Sequence, residues 1–266
     1  MKGEKTGLDG SRTLLEELGF EHAPHLVAEL MEKAVREDLS YSAFLEDILR
    51  KEREFREERR IKTSLKLSGL PQGKTLDTFD FTFQRSVGRK EIELLATCEY
   101  IRRKENVLFL GPPGVGKSHL AAALGVKGVE NGFSVTWLTA DELLKRLRRD
   151  EQEPGKRNRR RTYLSSSELI IDELGFQDLD RRDAHLFFHL VSSRYERNST
   201  VITSNKSVRE WPEMLAGDEI LATAILDRLL HHCHIVHVDG SSYRLWEMEH
   251  RTRSRQGKEG EIIEER

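Results

Sequence analysis

Residues 106–123 read NVLFLGPPGVGKSHLAAA, and the order of residue types in them decides the fold. Val107 to Leu110 make a short apolar strand, a glycine-rich turn follows, and an alanine-rich helix comes next. A phosphate-binding loop requires this strand, loop and helix in succession. Gly111, Gly116, Lys117 and Ser118 match its pattern. Glycines at 111, 114 and 116 let the backbone curl so that successive N–H groups point inward at phosphate oxygens, with the positive end of the helix dipole behind them. Lys117 then reaches the β and γ phosphates, and the Ser118 hydroxyl is placed to ligate Mg²⁺. A chance glycine-rich turn would lack the flanking strand and helix, so the reading is a nucleotide site.

The 266 residues suffice for one α/β domain of ordinary size and a smaller accessory region. Charged residues make up 34% and apolar ones 37%, and no apolar run approaches the length needed to cross a bilayer. With no signal-peptide pattern at the amino end, a soluble cytoplasmic protein is expected, without membrane contact. Lys plus Arg number 44 against 46 Asp plus Glu, so global charge does not announce nucleic acid. Cys98 and Cys233 lie far apart with no CxxC partner, which argues against a disulfide framework or a zinc ribbon and for two small buried apolar residues.

Residues 1–71 read as a helical region. Leu26, Val27, Leu30, Met31 and Val35 recur at helical spacing after Pro24, and Phe44, Leu45, Ile48 and Leu49 do so after Ser40 and Ser42. The second helix continues through alternating acidic and basic residues until Gly69 and Pro71 end it. That charge run reads as a solvated face before it reads as a nucleic-acid contact. Residues 72–86 form an extended linker in which Phe79, Phe81 and Phe83 alternate, which would set the rings on one side as a lid. Residues 87–247 alternate strands and helices, the mark of a largely parallel sheet covered on both faces. Residues 248–266 are polar, charged and expected to be disordered.

Within 87–247, Ser134 to Leu138 make the second strand, and Thr139 with Glu142 form a capping box for the next helix. SELIIDELG is an apolar strand that ends in two carboxylates. After a phosphate loop, Asp172 serves the Mg²⁺ shell and Glu173 is the candidate base for an attacking water. The strand Thr200 to Thr203 ends in Ser204 and Asn205, whose amide is a candidate reader of the γ phosphate; a turn-forming Ser-Asn is the plainer reading. Arg228 lies off the apolar stripe of Ile225, Leu226, Leu229 and Leu230 and is a candidate to reach a neighbouring subunit. His231, His232, His234 and His237 straddle a helix end and a strand without metal-ligand spacing, and His185 with His189 lack the Glu of a zinc-protease motif, so all six read as structural.

Taken together, GPPGVGKSHLA, LIIDELG, SSRYERNSTVITSN, LDRLLHHCH and the SYRL near the end resemble the IstB-like ATP-binding family, AAA+ ATPases that help insertion-sequence transposases and are related to the helicase loader DnaC. The likeness runs from about Ser40 to Trp246. It implies an α/β P-loop NTPase of AAA+ type with a small helical amino-terminal region. It also implies an ATP site formed by Gly111, Pro112, Pro113, Gly114, Val115, Gly116, Lys117, Ser118 and the adjoining His119. In that site Ser118 and Asp172 would hold Mg²⁺, Glu173 would be the base, Asn205 sensor 1, and Arg228 an arginine finger acting on an adjacent subunit. Arg244, in SYR, would be a second sensor.

The family further implies DNA binding by an ATP-dependent homo-oligomer with a basic inner surface. Lys145, Arg148, Arg149, Lys156, Arg157, Arg159, Arg160 and Arg161 are the residues at hand for it, and a solvated surface loop is the alternative. Three functions compete. One is a helper ATPase that assembles on duplex DNA and attracts a transposase; another is a DnaC-like loader that acts on single strands and a replicative helicase in DNA replication. The third is a nucleotide-switched scaffold that hardly hydrolyses ATP, against which Glu173 argues because a scaffold needs no base.

Overall fold

The computed structural model describes residues 7–152 and 162–248. The chain divides into two compact units, residues 1–63 and 64–266. Helices α1 (Gly7–Glu17) and α2 (Ala23–Arg36) belong to the first, and α3 (Tyr41–Ser68) begins there. Its core is Ala23, Val27, Leu30 and Ile48, with Leu15, Phe20, Leu26 and Phe44 packed around them. Pro24 sits in the first turn of α2, where its missing N–H costs nothing. Glu52 of α3 supplies the cap that α2 lacks locally: its carboxylate accepts from the N–H groups of Glu21, His22 and Ala23 at 2.8–3.0 Å. Along α3 the charges pair within the helix, as in Lys51–Glu54, Glu52–Arg56 and Glu57–Arg60.

The second unit is built on a parallel sheet of five strands in the order β2-β3-β4-β1-β5. They are β1 (Asn106–Leu110), β2 (Val135–Thr139), β3 (Glu168–Leu174), β4 (Ser199–Ser204) and β5 (Cys233–His237). Central strands covered on both faces should be continuously apolar or small, and every residue of β4 is buried, as are all of β3 except Glu173. Helices α4 (Arg89–Leu95), α5 (Glu99–Arg103), α6 (Lys117–Glu130), α7 (Ala140–Gln152), α8 (Thr162–Ser165), α9 (Arg181–Arg194), α10 (Trp211–Met214) and α11 (Glu219–Leu230) flank it, with a 3₁₀ turn at Val208–Glu210. One face is closed by Leu143, Phe187, Leu190, Trp211 and Ile225 packed with Leu108, Ile171 and Ile202. On α6, small residues permit close approach: a Cβ at Gly125 would lie 2.6 Å from Ile170.

Register places the ends of three strands together. Leu110 and Leu174 both pair with Ser204, so the loop after β1, the carboxylates of β3 and the end of β4 share one edge. Ligands of open parallel sheets bind at such carboxyl edges. The capping box at Thr139 and Glu142 forms in both directions. The linker departs from the extended reading, since residues 72–86 are turns with no strand. Asp80 is the reason: its carboxylate accepts from the Thr82 and Phe83 N–H groups at 2.8 and 3.0 Å, which curls the chain between the phenylalanines. Cys98 is buried and Cys233 partly so; both are free thiols, and burial pushes them up to about 11 and about 12. Among the described residues no helix is long and apolar enough to cross a membrane.

Candidate functional site

Between β1 and α6 the loop takes the curled form that its glycines allow. Gly116 caps α6 at φ 105, and a Cβ there would meet the Phe79 ring at 2.7 Å. A Cβ at Gly111 would collide with the Val238 carbonyl oxygen. The Lys117 ammonium, on the first residue of α6, donates to the carbonyls of Gly111 and Pro112 at 2.6 and 2.7 Å. Its pKa is lowered: desolvation is the chief cause, the Asp172 carboxylate opposes it, and Arg244 adds to it. One residue on, Ser118 donates to Asp172 Oδ1 at 2.8 Å, and the Thr203 hydroxyl from β4 donates to the same oxygen.

Glu173 lies where the β3–β4 ladder shifts register, between Ile171 and Leu174. It is exposed, has a left-handed φ of 62, and donates its N–H to Thr203 Oγ1 at 3.0 Å. Bulges of this kind re-aim a side chain next to a site. Asn205 is exposed one residue past β4 and does not line the cavity described below. Arg228 stands apart as well: it donates to the Ala224 carbonyl at 2.7 Å, lies 5.0 Å over the Phe188 ring, and lines a separate surface depression on α11.

A cavity of about 360 Å³ opens at the loop, lined by Gly114, Val115, Gly116, Lys117, Ser118, His119, Asp172, Glu173 and Arg244, and by Phe79, Phe83, Gln84 and Tyr243. Pro112 and Pro113, also on the loop, are exposed and do not line the cavity. His119 turns to the linker, 2.8 Å from the Thr75 carbonyl and 3.2 Å from the Thr78 hydroxyl, and burial lowers its pKa. Three contributors, Gln84, Tyr243 and Thr203, went unseen in the sequence, and Phe83 was read only as part of a lid. Gln84 donates from Nε2 to the Val115 carbonyl at 2.9 Å, Tyr243 donates its N–H to the Gly114 carbonyl, the Phe83 ring packs on Tyr243 and Trp246, and the Thr203 hydroxyl joins the Asp172 carboxylate to the Glu173 main-chain N–H. Only the aromatic alternation hinted at any of them.

The donor set fits a phosphate and a small divalent cation. Gly114, Val115, Gly116 and Lys117 of the loop line the cavity, while Ser118 and Asp172 present hard oxygen donors 2.8 Å apart. Elsewhere, His234 is bonded to Glu105 at 2.8 Å and His231 to the Tyr195 hydroxyl at 2.8 Å. Exposed Glu196, His231 and His232 bring donor atoms within 4.8 Å of one another.

The basic residues expected to face DNA divide. Lys145 and Arg149 are exposed on α7, with Lys145 paired to Asp141 one turn away. Arg148 has a partner within the domain: its guanidinium grips the buried Asp183 of α9 through two hydrogen bonds, from Nε at 2.6 Å and from Nη2, and so ties α7 to α9. Lys156, Arg157, Arg159, Arg160 and Arg161 lie outside the described residues.

A family model described as IstB-like ATP binding protein matches residues 13–251. The relative named "Insertion sequence IS5376 putative ATP-binding protein", from Geobacillus stearothermophilus, is 46% identical over 218 residues, which are 82% of this chain and 86% of the relative. The "Insertion sequence IS21 putative ATP-binding protein" of Pseudomonas aeruginosa is 44% identical over 234 residues, 88% of each chain. Among solved structures, the DnaC helicase loader is 23% identical with a TM-score of 0.52, covering 63% of this chain and 97% of its own. DnaI is 19% identical with a TM-score of 0.53, covering 64% and 95%. At these identities the likeness is one of fold, a P-loop domain of AAA+ type.

Proposed function

This chain belongs to the IstB-like ATP-binding protein family, and from that premise we propose that it is a cytoplasmic ATPase that assembles with copies of itself on duplex DNA and assists a transposase. The meeting of Lys117, Ser118, Asp172 and Glu173 at one sheet edge is the observation that carries the reading. The loop N–H groups and Lys117 bind and neutralise the phosphates of ATP, for which Lys117 exchanges its two carbonyl partners. Ser118 and Asp172 would hold Mg²⁺, which would supply positive charge against the phosphates. Glu173 takes the proton of the attacking water; Asn205, just past β4 and outside the cavity lining, is the candidate to orient that water. Arg244, which also lines the cavity, acts on the phosphates as a second sensor. Arg228, on another face, completes the site of a neighbouring copy, a role worth roughly 10³ to 10⁵ in rate in related NTPases.

The names of the relatives tie them to insertion sequences, which supports the transposition role over replication. Lys145 and Arg149, with the basic residues of 156–161, supply backbone contacts to DNA that tolerate any sequence and weaken with salt. Steady-state hydrolysis by the purified protein, alone and with duplex or single-stranded DNA at two salt concentrations, tests the reading. Stimulation by duplex, abolished by Glu173→Gln, is the expected outcome. Stimulation by single strands alone would transfer the assignment to a helicase loader, and absence of hydrolysis in every condition would leave a nucleotide-switched scaffold.

A further inference from the structure

We propose that Thr203 is a positioning residue for hydrolysis, whose single hydroxyl locks the side chain of Asp172 to the main chain of Glu173. The inference rests on the ATPase reading above. Thr203 sits on β4 with 1% of its surface exposed, paired to Phe109 of β1 on one side and facing β3 on the other. A hydroxyl has one proton to give and lone pairs to receive. Here the proton goes to Asp172 Oδ1, and a lone pair receives the Glu173 N–H at 3.0 Å.

Each half has a separate consequence. Asp172 Oδ1 accepts from both Ser118 and Thr203, which fixes the carboxylate's rotation and assigns Oδ2 as the oxygen that carries neither bond. Groups that orient metal ligands in this way matter nearly as much as the ligands. Glu173 occupies the register shift, where an extra residue loses its ladder partner, and its left-handed φ of 62 is uncommon outside glycine. Thr203 replaces the missing partner. Without it, the peptide between the two carboxylates is free to turn, and the base leaves its place. One side chain therefore sets both the metal ligand and the base, although Thr203 itself does not line the cavity.

The test compares Thr203→Val, which keeps the shape and removes the hydroxyl, with Thr203→Ser, which keeps the hydroxyl. Full-length variants are assayed for ATP hydrolysis with DNA, for binding of a fluorescent ATP analogue across a Mg²⁺ titration, and for thermal melting. With melting unchanged, Thr203→Val should lower kcat roughly 10- to 100-fold and raise the Mg²⁺ needed for half-maximal analogue binding, with little change in KM. Thr203→Ser should restore both. A Val variant with wild-type kcat and Mg²⁺ dependence, or a Ser variant as impaired as Val, overturns the proposal. If Val fails to fold, Thr203→Ala takes its place with the same expected outcomes. Should the wild-type chain not hydrolyse ATP at all, the ATPase reading fails, while the Mg²⁺ titration still reports whether Thr203 holds Asp172.

Discussion

Glu168, at the start of β3, is fully buried at the end of the sheet away from the candidate site. One carboxylate oxygen accepts from the Tyr100 hydroxyl; the other has no hydrogen-bond partner among the described residues. Arg194 is equally buried, but its N–H groups go to the carbonyls of Tyr163, Ser166 and Ser199 and to the Thr200 hydroxyl. Burial pushes the Glu168 carboxyl up to about 7, against the pull of Tyr100 and Arg194. Its folded pKa therefore lies above the usual glutamate value. The stabilisation from holding that proton is complete below about pH 4.5, falls as pH rises, and is gone above about pH 7. Glu168→Gln removes the titration, so its stability relative to wild type should grow by a few kcal/mol across this window, because each tenfold difference in proton affinity is worth about 1.4 kcal/mol. Urea unfolding of both proteins from pH 4.5 to 8 reads the difference, and a flat difference would mean that the carboxyl stays ionised throughout. No sequence pattern pointed to this group, because its partners are 68 and 26 residues away and only the fold assembles them.

At the scale of elements, the strands and the loop were readable because their signals are local. Val107 to Leu110 followed by glycines, SELIIDELG ending in carboxylates, and the Thr139–Glu142 box each complete their chemistry within a few residues. Two of the three amino-terminal helices were readable for the same reason, Pro24 opening α2 and Gly69 with Pro71 closing α3, whereas α1 (Gly7–Glu17) was not foreseen. The linker was misread as extended because three aromatic residues in alternation are too short a run to outweigh the Asp80 turn. Its contacts are also long-range: Gln84 reaches Val115, and Phe83 reaches Tyr243 and Trp246. Gln84 is 4% exposed, and its amide holds the carbonyl in the middle of the phosphate loop. Replacing it with Ala leaves that carbonyl unpaired, a penalty of about 1–3 kcal/mol that falls on the curled conformation. Gln84→Ala should weaken nucleotide binding roughly tenfold, since about 1.4 kcal/mol is a factor of ten. Titration with a fluorescent ATP analogue measures it, and wild-type affinity in a folded variant would show that the loop holds its shape without the linker.

Assembly belongs to the whole molecule, and Arg228 is where it can be tested. The arginine is half-buried on α11, stacked over Phe188, and lines none of the cavity that holds Lys117 and Asp172. If it completes a site, that site belongs to another copy. A heterologous contact of this sort places the loop of one subunit against the arginine of the next. Two variants, each inactive for a different reason, should then rescue each other. Lys117→Ala spoils its own loop but still offers an arginine, whereas Arg228→Ala keeps a working loop and offers none. Mixed in equal amounts with ATP and duplex DNA, they form about one quarter of sites from an intact loop and an intact arginine, so hydrolysis should recover to about that fraction of wild type. Light scattering should report assembly in the mixture and in Arg228→Ala alone, because the arginine serves the chemistry and α11 carries the contact. Recovery would place Arg228 at a shared site. If the mixture stays as inactive as its components while still assembling, Arg228 acts within its own subunit, and its stacking on Phe188 becomes its role.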